Sequence, residues 1–465
     1  MDERKKNLYQ GLLTVLGSFL LHLSLGHFYT VSNMAPYILS YIAAKVDKTI
    51  TVEKAVWLSA LGLGFQGIAM PLGGVLSKKF GPRAAMMATV LFAGGSVLLT
   101  YFSVKKTFIG VVITIGTIFG FGMGIGYSVA IACAASWFPE RRGLVVGLIV
   151  GGFGLGSLVF TPIQTKFINP SNKKVDEESR YFTDDELLER VPTAFLLMGS
   201  ILAALELIAF ALVRMKPAPA ANQPSESQAR SQETSTAQST ENKPKEFNVE
   251  PRKLLRHVDY YLLFTMMILN ILPTSILTSS LKIFGQKYIN DDKFLSNIMA
   301  CTAIFNCAGR VIWGAIVDRF SFKIPICFQQ AMWSTFFFTL PLISNTKGNV
   351  LKTLYAIWAF GLFFFLSGVF SMMPAATGAI LGPANLAVNY GMVYLGFAFG
   401  SLISLAITYQ WRPSPTQNFL LSGTTCLITL SLALWLEDRK LPKRFSFMKW
   451  FSSHCAAYRV AAADA

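Results

Sequence analysis

The chain has 465 residues, of which 53% are hydrophobic and only 14% are charged, and its formal net charge is +16. A soluble protein with this balance would expose too much apolar surface, whereas a lipid bilayer requires such a surface. The composition therefore excludes a soluble globular protein, and membrane topology explains the positive charge better than nucleic-acid binding does. Residues 1–6 are mostly charged and the apolar run after them is long enough to span, so we expect no cleavable signal peptide.

Apolar runs bounded by charges or by Gly, Pro and Asn clusters predict an all-α membrane protein with twelve spans. In chain order, spans 1 to 12 cover residues 9–32, 55–77, 84–104, 108–136, 143–165, 193–214, 258–281, 294–317, 324–343, 352–381, 387–410 and 417–436. An even number of spans puts both termini on one side, called the terminal side below. That side holds 24 of the 41 Lys and Arg residues, the other side holds 16, and Arg310 lies between them. Because basic residues favour the cytoplasmic side, we expect both termini to be cytoplasmic.

Polar and aromatic side chains in the first half of the chain are candidates for lining a cavity. His22, Tyr29 and Asn33 lie seven and four residues apart and therefore share one face of the first helix. His22 is the candidate for proton coupling, because an imidazole titrates near neutral pH. Tyr127 in span 4 offers a hydroxyl group and a ring edge to an anion. Packing between helices is the competing explanation for His22 and Tyr127.

A polar linker divides the chain into two halves. Residues 215–256 are rich in Pro, Ser, Gln and Thr and cannot bury enough surface to fold, so we expect a disordered cytoplasmic linker. It separates an N-terminal six-helix bundle, residues 1–214, from a C-terminal six-helix bundle, residues 257–437. Residues 438–465 form a basic cytoplasmic tail in which Lys and Arg alternate with aromatic residues. This pattern is typical of an amphipathic segment on an anionic membrane or of a disordered tail.

The two halves repeat each other at the turns that follow spans 2 and 8. Residues 64–83 and 303–323 share a frame offset by 240 residues, and both contain Gly, three residues, a charged pair and an aromatic residue. The matched residues are Phe65 with Phe305, Gln66 with Asn306, Gly74 with Gly314, and Phe80 with Phe320. Such a duplication is typical of transporters that bind their substrate at the interface between repeats.

Arg310 is a cation in the middle of span 8, where the repeat has Met70 in the first half. Burying a guanidinium in a membrane is costly, so such residues usually face a polar cavity and bind a ligand. We therefore predict that Arg310 holds a small anion. Asn306 lies one turn away on the same face and can hydrogen-bond the guanidinium or the ligand. The alternatives are that Arg310 extends to the membrane surface and that Asn306 only joins helices.

The whole chain resembles the major facilitator superfamily. This resemblance is carried by the twelve spans, the central linker and the G-x-x-x-D-R turn at Gly314, Asp318 and Arg319. Residues 127–156 read YSVAIACAASWFPERRGLVVGLIVGGFGLG, which resembles the helix 4–5 signature of monocarboxylate transporters and oxalate:formate antiporters. The exchanger branch is also similar in span 1, at Gly26, Tyr29 and Ser32, and in span 11, at Asn389, Tyr390, Gly391 and Tyr394.

The resemblance implies two pseudo-symmetric six-helix bundles and a secondary active transporter of small monocarboxylate anions. Transport would occur by alternating access, as exchange or with proton coupling. In both branches an Arg in helix 8 holds the substrate carboxylate, and Arg310 stands at that place. The substrate-binding residues expected with it are Asn306, Tyr29, Tyr127 and Tyr394, and the expected gating residues are Asp318, Arg319, Arg141 and Arg142.

The chain departs from the family pattern at several positions. Proton-coupled monocarboxylate transporters carry an Asp where this chain has Asn306, and a Lys late in helix 1 that is missing here. The oxalate exchanger has a second cation in helix 11, but no Lys or Arg occurs between Lys352 and Arg412. The first-half turn has Lys78 where the superfamily usually has Asp. These departures question coupling by the usual proton pair and dicarboxylate binding by two cations.

The sequence has no nucleotide-binding loop, catalytic triad or metal cluster, so we expect no enzyme, no cofactor and no metal site. The expected partners are a small organic anion and the lipid bilayer, with no nucleic acid, and the need for an accessory membrane subunit stays open. We predict a multi-pass protein of the plasma membrane rather than of an organelle. Two other functions remain open: a carrier of a neutral or amino-acid solute with a structural Arg310, and a transporter-derived sensor.

Overall fold

The computed structural model describes residues 3–50, 54, 56–171, 173, 176, 181–216, 248–289, 291–411 and 414–436. Within these ranges the regular structure is entirely helical, and twelve helices are long and apolar enough to cross a membrane. Large apolar side chains such as Leu91, Phe102 and Ile109 are exposed on the outside of these helices. Contact with lipid, and not with water, is favourable for such side chains. The predicted all-α membrane fold with twelve spans is confirmed.

Each predicted span corresponds to one helix, labelled α1 to α12. The helices are α1 (Glu3–Leu25), α2 (Val56–Phe80), α3 (Pro82–Ser103), α4 (Phe108–Trp137), α5 (Pro139–Ile168), α6 (Asp185–Leu212), α7 (Val258–Tyr288), α8 (Asp292–Phe320), α9 (Lys323–Asn345), α10 (Gly348–Leu381), α11 (Leu386–Trp411) and α12 (Pro415–Trp435). A 3-10 turn, Gly26–Thr30, joins α1 to a further helical segment, Val31–Lys45.

Glycines bring α1 and α5 into backbone contact near the centre of the first half. A Cβ on Gly156 of α5 would overlap the backbone of Gly26, and a Cβ on Gly26 would overlap the carbonyl group of Phe153. Side chains at these two positions would therefore push the helices apart. The close crossing lets the Tyr29 ring meet the Phe153 ring edge-on, with the ring centroids 5.1 Å apart.

The two halves meet through matched positions of the internal repeat. Gly314 of α8 lies against Gly143 of α5, and its repeat partner Gly74 of α2 lies against Val388 of α11. One turn further into the membrane, the backbone of Arg310 lies against Gly147, while Met70 lies against Gly391. The α5–α8 and α2–α11 contacts thus relate the two six-helix bundles by the same pseudo-symmetry that the sequence repeat indicates.

A buried carboxyl group joins three helices inside the N-terminal half. One oxygen of Glu206 in α6 accepts a hydrogen bond from the Ser24 hydroxyl of α1 at 2.8 Å, and the other accepts one from the Gly94 N–H of α3 at 3.1 Å. Gly94 ends a π-helical turn, Val90–Gly94, and such turns redirect helical N–H groups. Glu206 therefore has donors within its own bundle and does not extend to the surface.

The last residues of the predicted linker, from residue 248 on, dock onto the C-terminal half of the chain. The Val249 N–H donates to the Leu381 carbonyl at 2.8 Å, and the Asn385 and Asn389 side-chain amides donate to the Val249 carbonyl at 3.2 and 3.1 Å. The Val249 side chain is buried. The expectation of a disordered linker up to residue 256 was wrong here, because one apolar residue and its backbone dock against the α10–α11 turn. Residues 217–247 and 437–465, which hold the rest of the predicted linker and the basic tail, lie outside the described residues.

We expect Gly156→Ala to destabilise the protein, whereas Gly64→Ala should not. The new methyl group at 156 overlaps the backbone of Gly26, in the turn that follows α1, and such overpacking costs on the order of 1–3 kcal/mol. At Gly64 a Cβ meets nothing within 4 Å, so the change only improves helix propensity. Thermal unfolding in detergent, followed by tryptophan fluorescence, measures both effects. Equal unfolding temperatures for the two variants would contradict the close α1–α5 crossing.

Candidate functional site

Arg310 lies at the centre of the interface between the halves and is 0% exposed. Its Nε donates to the Asn306 side-chain oxygen at 2.8 Å, one turn away on α8. Its Nη1 donates to the carbonyl oxygen of Val150 in α5 at 2.8 Å, and Nη2 lies 3.5 Å from the Tyr29 hydroxyl. The guanidinium therefore points into the bundle, across to the opposite half, and does not extend to the membrane surface.

All three of these hydrogen-bond partners are uncharged. Ion pairs such as Lys45 with Asp185 and Lys352 with Asp291 lie at the ends of helices, and no ion pair in the described part of the chain includes Arg310. A guanidinium carries five N–H donors, and three of them point at Asn306, Val150 and Tyr29. The site thus combines a buried positive charge with N–H donors that face uncharged groups.

Aromatic rings form the walls around this cation. The guanidinium carbon lies 4.8 Å from the centroid of the Phe370 ring in α10 and 5.8 Å from that of Phe153 in α5. Rings at this distance attract a guanidinium through the cation–π interaction. The sequence analysis missed both residues, because Phe occurs 38 times in the chain and neither position has a distinguishing pattern.

The structure gathers the predicted tyrosines around the same rings. Tyr127 of α4 lies with its ring centroid 5.7 Å from Phe153 and 5.9 Å from Tyr394 of α11. Tyr29 also meets Phe153 edge-on. The predicted substrate residues Arg310, Asn306, Tyr29, Tyr127 and Tyr394 therefore form one cluster drawn from both halves.

His22 joins this cluster, whereas Asn33 does not. The His22 ring lies 4.5 Å from the Tyr127 ring, measured between centroids, and is fully buried. Asn33 instead donates towards Gln164 and Thr165 near the far end of α5, at 3.3 Å from each. The expectation that both share one face of a regular helix was wrong, because the 3-10 turn Gly26–Thr30 changes the helical period between them.

Asp318 connects the halves on the terminal side. Its carboxylate accepts hydrogen bonds from the N–H groups of Gly143 and Leu144 at 2.7 and 2.8 Å, in the first turn of the α-helical part of α5. Those N–H groups have no partner within their own helix, and the positive end of the helix dipole favours an anion there. Among the other predicted gating residues, Arg142 begins that same turn, while Arg141 and Arg319 are exposed. The Arg319 guanidinium lies over the neighbouring Phe320 ring.

A second connection on the same side uses residues that the sequence analysis did not assign. Lys78 of α2, the repeat partner of Asp318, donates to the Asn385 side-chain oxygen at 3.0 Å, just before α11 begins. A cation at a helix N-terminus is unfavourable, so the Asn385 oxygen provides an acceptor that the helix end lacks. The Asn385 amide nitrogen is in turn held by the Val249 carbonyl. The two halves are therefore joined by two different latches, Asp318 on α5 and Lys78 on Asn385.

Twelve membrane helices in two matched halves, with a cation buried between them, define a membrane protein of transporter architecture. Residues 18–391 match the family model described as the Major Facilitator Superfamily, and the chain belongs to that superfamily. It is an integral multi-pass membrane protein.

Several relatives are carboxylate transporters by name. Apicoplast pyruvate carrier 1 of Toxoplasma gondii is 27% identical, over 92% of this chain and 88% of its own. The oxalate:formate antiporter of Oxalobacter formigenes is 24% identical, over 83% of this chain and 82% of its own. Monocarboxylate transporter 13 of Bos taurus is 29% identical over a shorter stretch, 30% of this chain and 32% of its own. The predicted likeness to this branch of the superfamily is confirmed.

Among solved structures, the fucose:proton symporter of Escherichia coli has the same fold. It superposes with a TM-score of 0.60, covering 89% of this chain and 97% of its own, at 14% identity. The similarity at this level concerns the fold alone.

We expect the two latches to differ in strength. Asp318→Ala removes the acceptor of two charge-assisted hydrogen bonds, so the terminal side should open more often, by roughly 10-fold or more. Lys78→Ala removes one exposed contact, worth about 0.2–1 kcal/mol, so the increase should be no more than about fivefold. The reaction rate of a cysteine at Val388 with an impermeant maleimide, in a background without the native cysteines, reports this opening.

Lys79→Ala is the matched control for these variants. It removes the same charge one residue along, where the ammonium lies over the Phe80 ring rather than at Asn385. Its labelling rate should equal that of the parent protein. A Lys79 effect as large as that of Lys78 would show that net charge matters and that the Lys78–Asn385 contact does not.

Proposed function

We propose that this chain is a secondary active transporter of small monocarboxylate anions that works by alternating access between its two halves. The observation that carries the proposal is the buried guanidinium of Arg310, whose hydrogen-bond partners among the described residues are all uncharged. A buried charge without a counter-charge is costly, and an anionic ligand would remove that cost.

A carboxylate suits the N–H donors of Arg310. Two N–H groups of one guanidinium can bind the two oxygens of one carboxylate, and this forked pair is among the strongest polar contacts in proteins. Phe153 and Phe370 cover the guanidinium and limit its access to water, which strengthens the attraction. Tyr29, Tyr127 and Tyr394 would shape the space around the ligand, and Asn306 would orient the guanidinium.

The same contacts suggest how binding is linked to movement. Arg310 belongs to the second half, but its Val150 and Tyr29 partners belong to the first, so the cation lies on the surface that must shift during alternating access. An anion bound to Arg310 would neutralise the charge and lower the cost of enclosing the site on both sides. This favours exchange or cotransport over the return of an empty carrier.

The relatives support this substrate class without fixing the substrate. The names of two of them refer to pyruvate, oxalate and formate, which are small carboxylic acids. The excess of basic residues on the terminal side supports cytoplasmic termini. The plasma membrane remains our proposed location, and Asp318, with Arg141, Arg142 and Arg319 at the same end, remains our proposed cytoplasmic gate.

Arg310→Ala should abolish uptake of labelled lactate and pyruvate into proteoliposomes, by at least about 100-fold, because a single buried charged contact contributes roughly 3–5 kcal/mol. Arg310→Lys should not restore uptake, since an ammonium lacks the forked pair of donors. Arg190→Ala is the matched control, because it removes an Arg that pairs with Glu186 on an exposed turn. Near-normal uptake by either Arg310 variant, at equal yield of folded protein, would contradict the proposal.

Substrate charge provides an independent prediction. One buried cation balances one carboxylate, whereas a dianion would leave a negative charge away from water at a cost of several kcal/mol. We therefore expect formate, lactate and pyruvate to inhibit uptake, and oxalate and succinate to inhibit poorly. Competition for labelled uptake in proteoliposomes measures this order. Strong inhibition by oxalate, with lactate and formate inactive, would require a second positive group at the site.

A further inference from the structure

His22 has one ring nitrogen whose protonation state the structure determines. Its Nδ1 lies 2.9 Å from the carbonyl oxygen of Ser18, one turn earlier in α1. A carbonyl oxygen can only accept a hydrogen bond, so Nδ1 must carry the hydrogen. In the neutral imidazole this leaves a lone pair on Nε2, which makes Nε2 a hydrogen-bond acceptor.

This acceptor is buried and has no partner in the described part of the chain. His22 is 0% exposed, and its Nε2 makes no hydrogen bond there. His27, five residues later, is different, because its Nε2 lies 2.9 Å from the Gln164 amide nitrogen. Buried polar atoms are normally hydrogen-bonded, and an exception usually has a functional explanation.

The His22 ring lies at the edge of the cluster around Arg310. It packs on the Tyr127 ring of α4, and the Tyr127 hydroxyl is within reach of the guanidinium. Tyr127 also touches Phe153 of α5 and Tyr394 of α11. A ligand held by Arg310 would therefore extend towards an aromatic wall that contains an unused acceptor.

We propose that His22 Nε2 accepts a hydrogen bond from a hydroxyl group of the transported anion, so that the site prefers hydroxy-monocarboxylates. This inference rests on the proposed function, in which Arg310 holds the carboxylate. Lactate and pyruvate have the same carbon skeleton, but lactate presents an O–H donor where pyruvate presents a carbonyl oxygen. The lone pair of Nε2 attracts the donor and repels the carbonyl oxygen. Propionate has neither group and leaves the acceptor unpaired.

The test is the ratio of apparent dissociation constants for lactate, pyruvate and propionate, measured by ligand-dependent thermal stabilisation of the purified protein in detergent. In the parent protein we expect lactate to bind roughly 10-fold more tightly than pyruvate or propionate, because a site with a buried polar group discriminates against ligands that leave it unpaired. His22→Phe should reduce this ratio to about one. His22→Gln offers an amide oxygen to the ligand and should restore part of the preference.

His27→Phe is the matched control, since it removes a buried imidazole in the 3-10 turn that follows α1, whose Nε2 is paired with Gln164, and it should leave the ratio unchanged. Because each ratio is measured within one protein, a lower folded yield of a variant does not affect it.

Equal binding of the three acids by the parent protein, or an unchanged ratio in His22→Phe, would overturn the inference while leaving the proposed function intact. The same holds if Tyr390→Phe abolished the preference while His22→Phe kept it, because the buried hydroxyl of Tyr390, next to Tyr394, also makes no hydrogen bond in the described part of the chain. Failure of all three acids to bind would instead contradict the proposed function.

Discussion

The structure depends on one buried guanidinium held between two half-molecules by uncharged groups. Arg310 reaches from α8 to the Val150 carbonyl in α5, although that carbonyl belongs to a helix and would normally be covered. Gly154, four residues later, has no side chain to cover it, and a Cβ there would lie 3.0 Å from the Asn306 oxygen and 3.5 Å from Arg310 Nε. A carbonyl oxygen has two lone pairs, so it can accept this bond in addition to its helical one. Gly154 of α5 thus leaves room for the guanidinium, while other glycines of α5 allow close helix packing.

Burying the Arg310 charge has a desolvation cost that its neighbours in the fold offset only in part. The aromatic faces of Phe153 and Phe370 and the polar groups of Asn306 and Tyr29 stabilise the guanidinium only partly, because none of them carries a negative charge. In a protein built only for stability, an apolar residue would serve better at this position, as Met70 does in the matching position of the first half. The broken symmetry therefore fits a ligand that completes the charge balance, and the rocking of two halves around a fixed central site is the movement that such a ligand would control.

The terminal side of the interface illustrates the same divergence between halves. Asp318 binds the first turn of α5 with a full negative charge, whereas its repeat partner Lys78 needs the Asn385 side chain as an intermediary. Asn385 is held in turn by Val249, at the end of the segment that joins the halves. On this side the halves are thus joined by two hydrogen bonds to a carboxylate and by one contact through Asn385, which the linker end also holds. We therefore expect changes in the linker to affect the Lys78 contact and not the Asp318 contact.

The sequence by itself determined the membrane class, the twelve spans, the duplication and the exceptional position of Arg310 with Asn306 one turn away. These features are local, because hydropathy and helical periodicity act over a few residues. Only the tertiary structure decided the rest. The Val150 carbonyl is 160 residues from Arg310 in the chain, and Asn385 is 307 residues from Lys78. Neither pairing has a local signal, nor does the choice of Phe153 and Phe370 among many phenylalanines. Asn33 does not lie on the face predicted for it, because a 3-10 turn changes the helical period before it. Val249 is fixed in place although it belongs to the predicted linker, because residues distant in the chain donate hydrogen bonds to it. Contacts between residues far apart in the chain depend on how the helices pack, which no short stretch of sequence specifies.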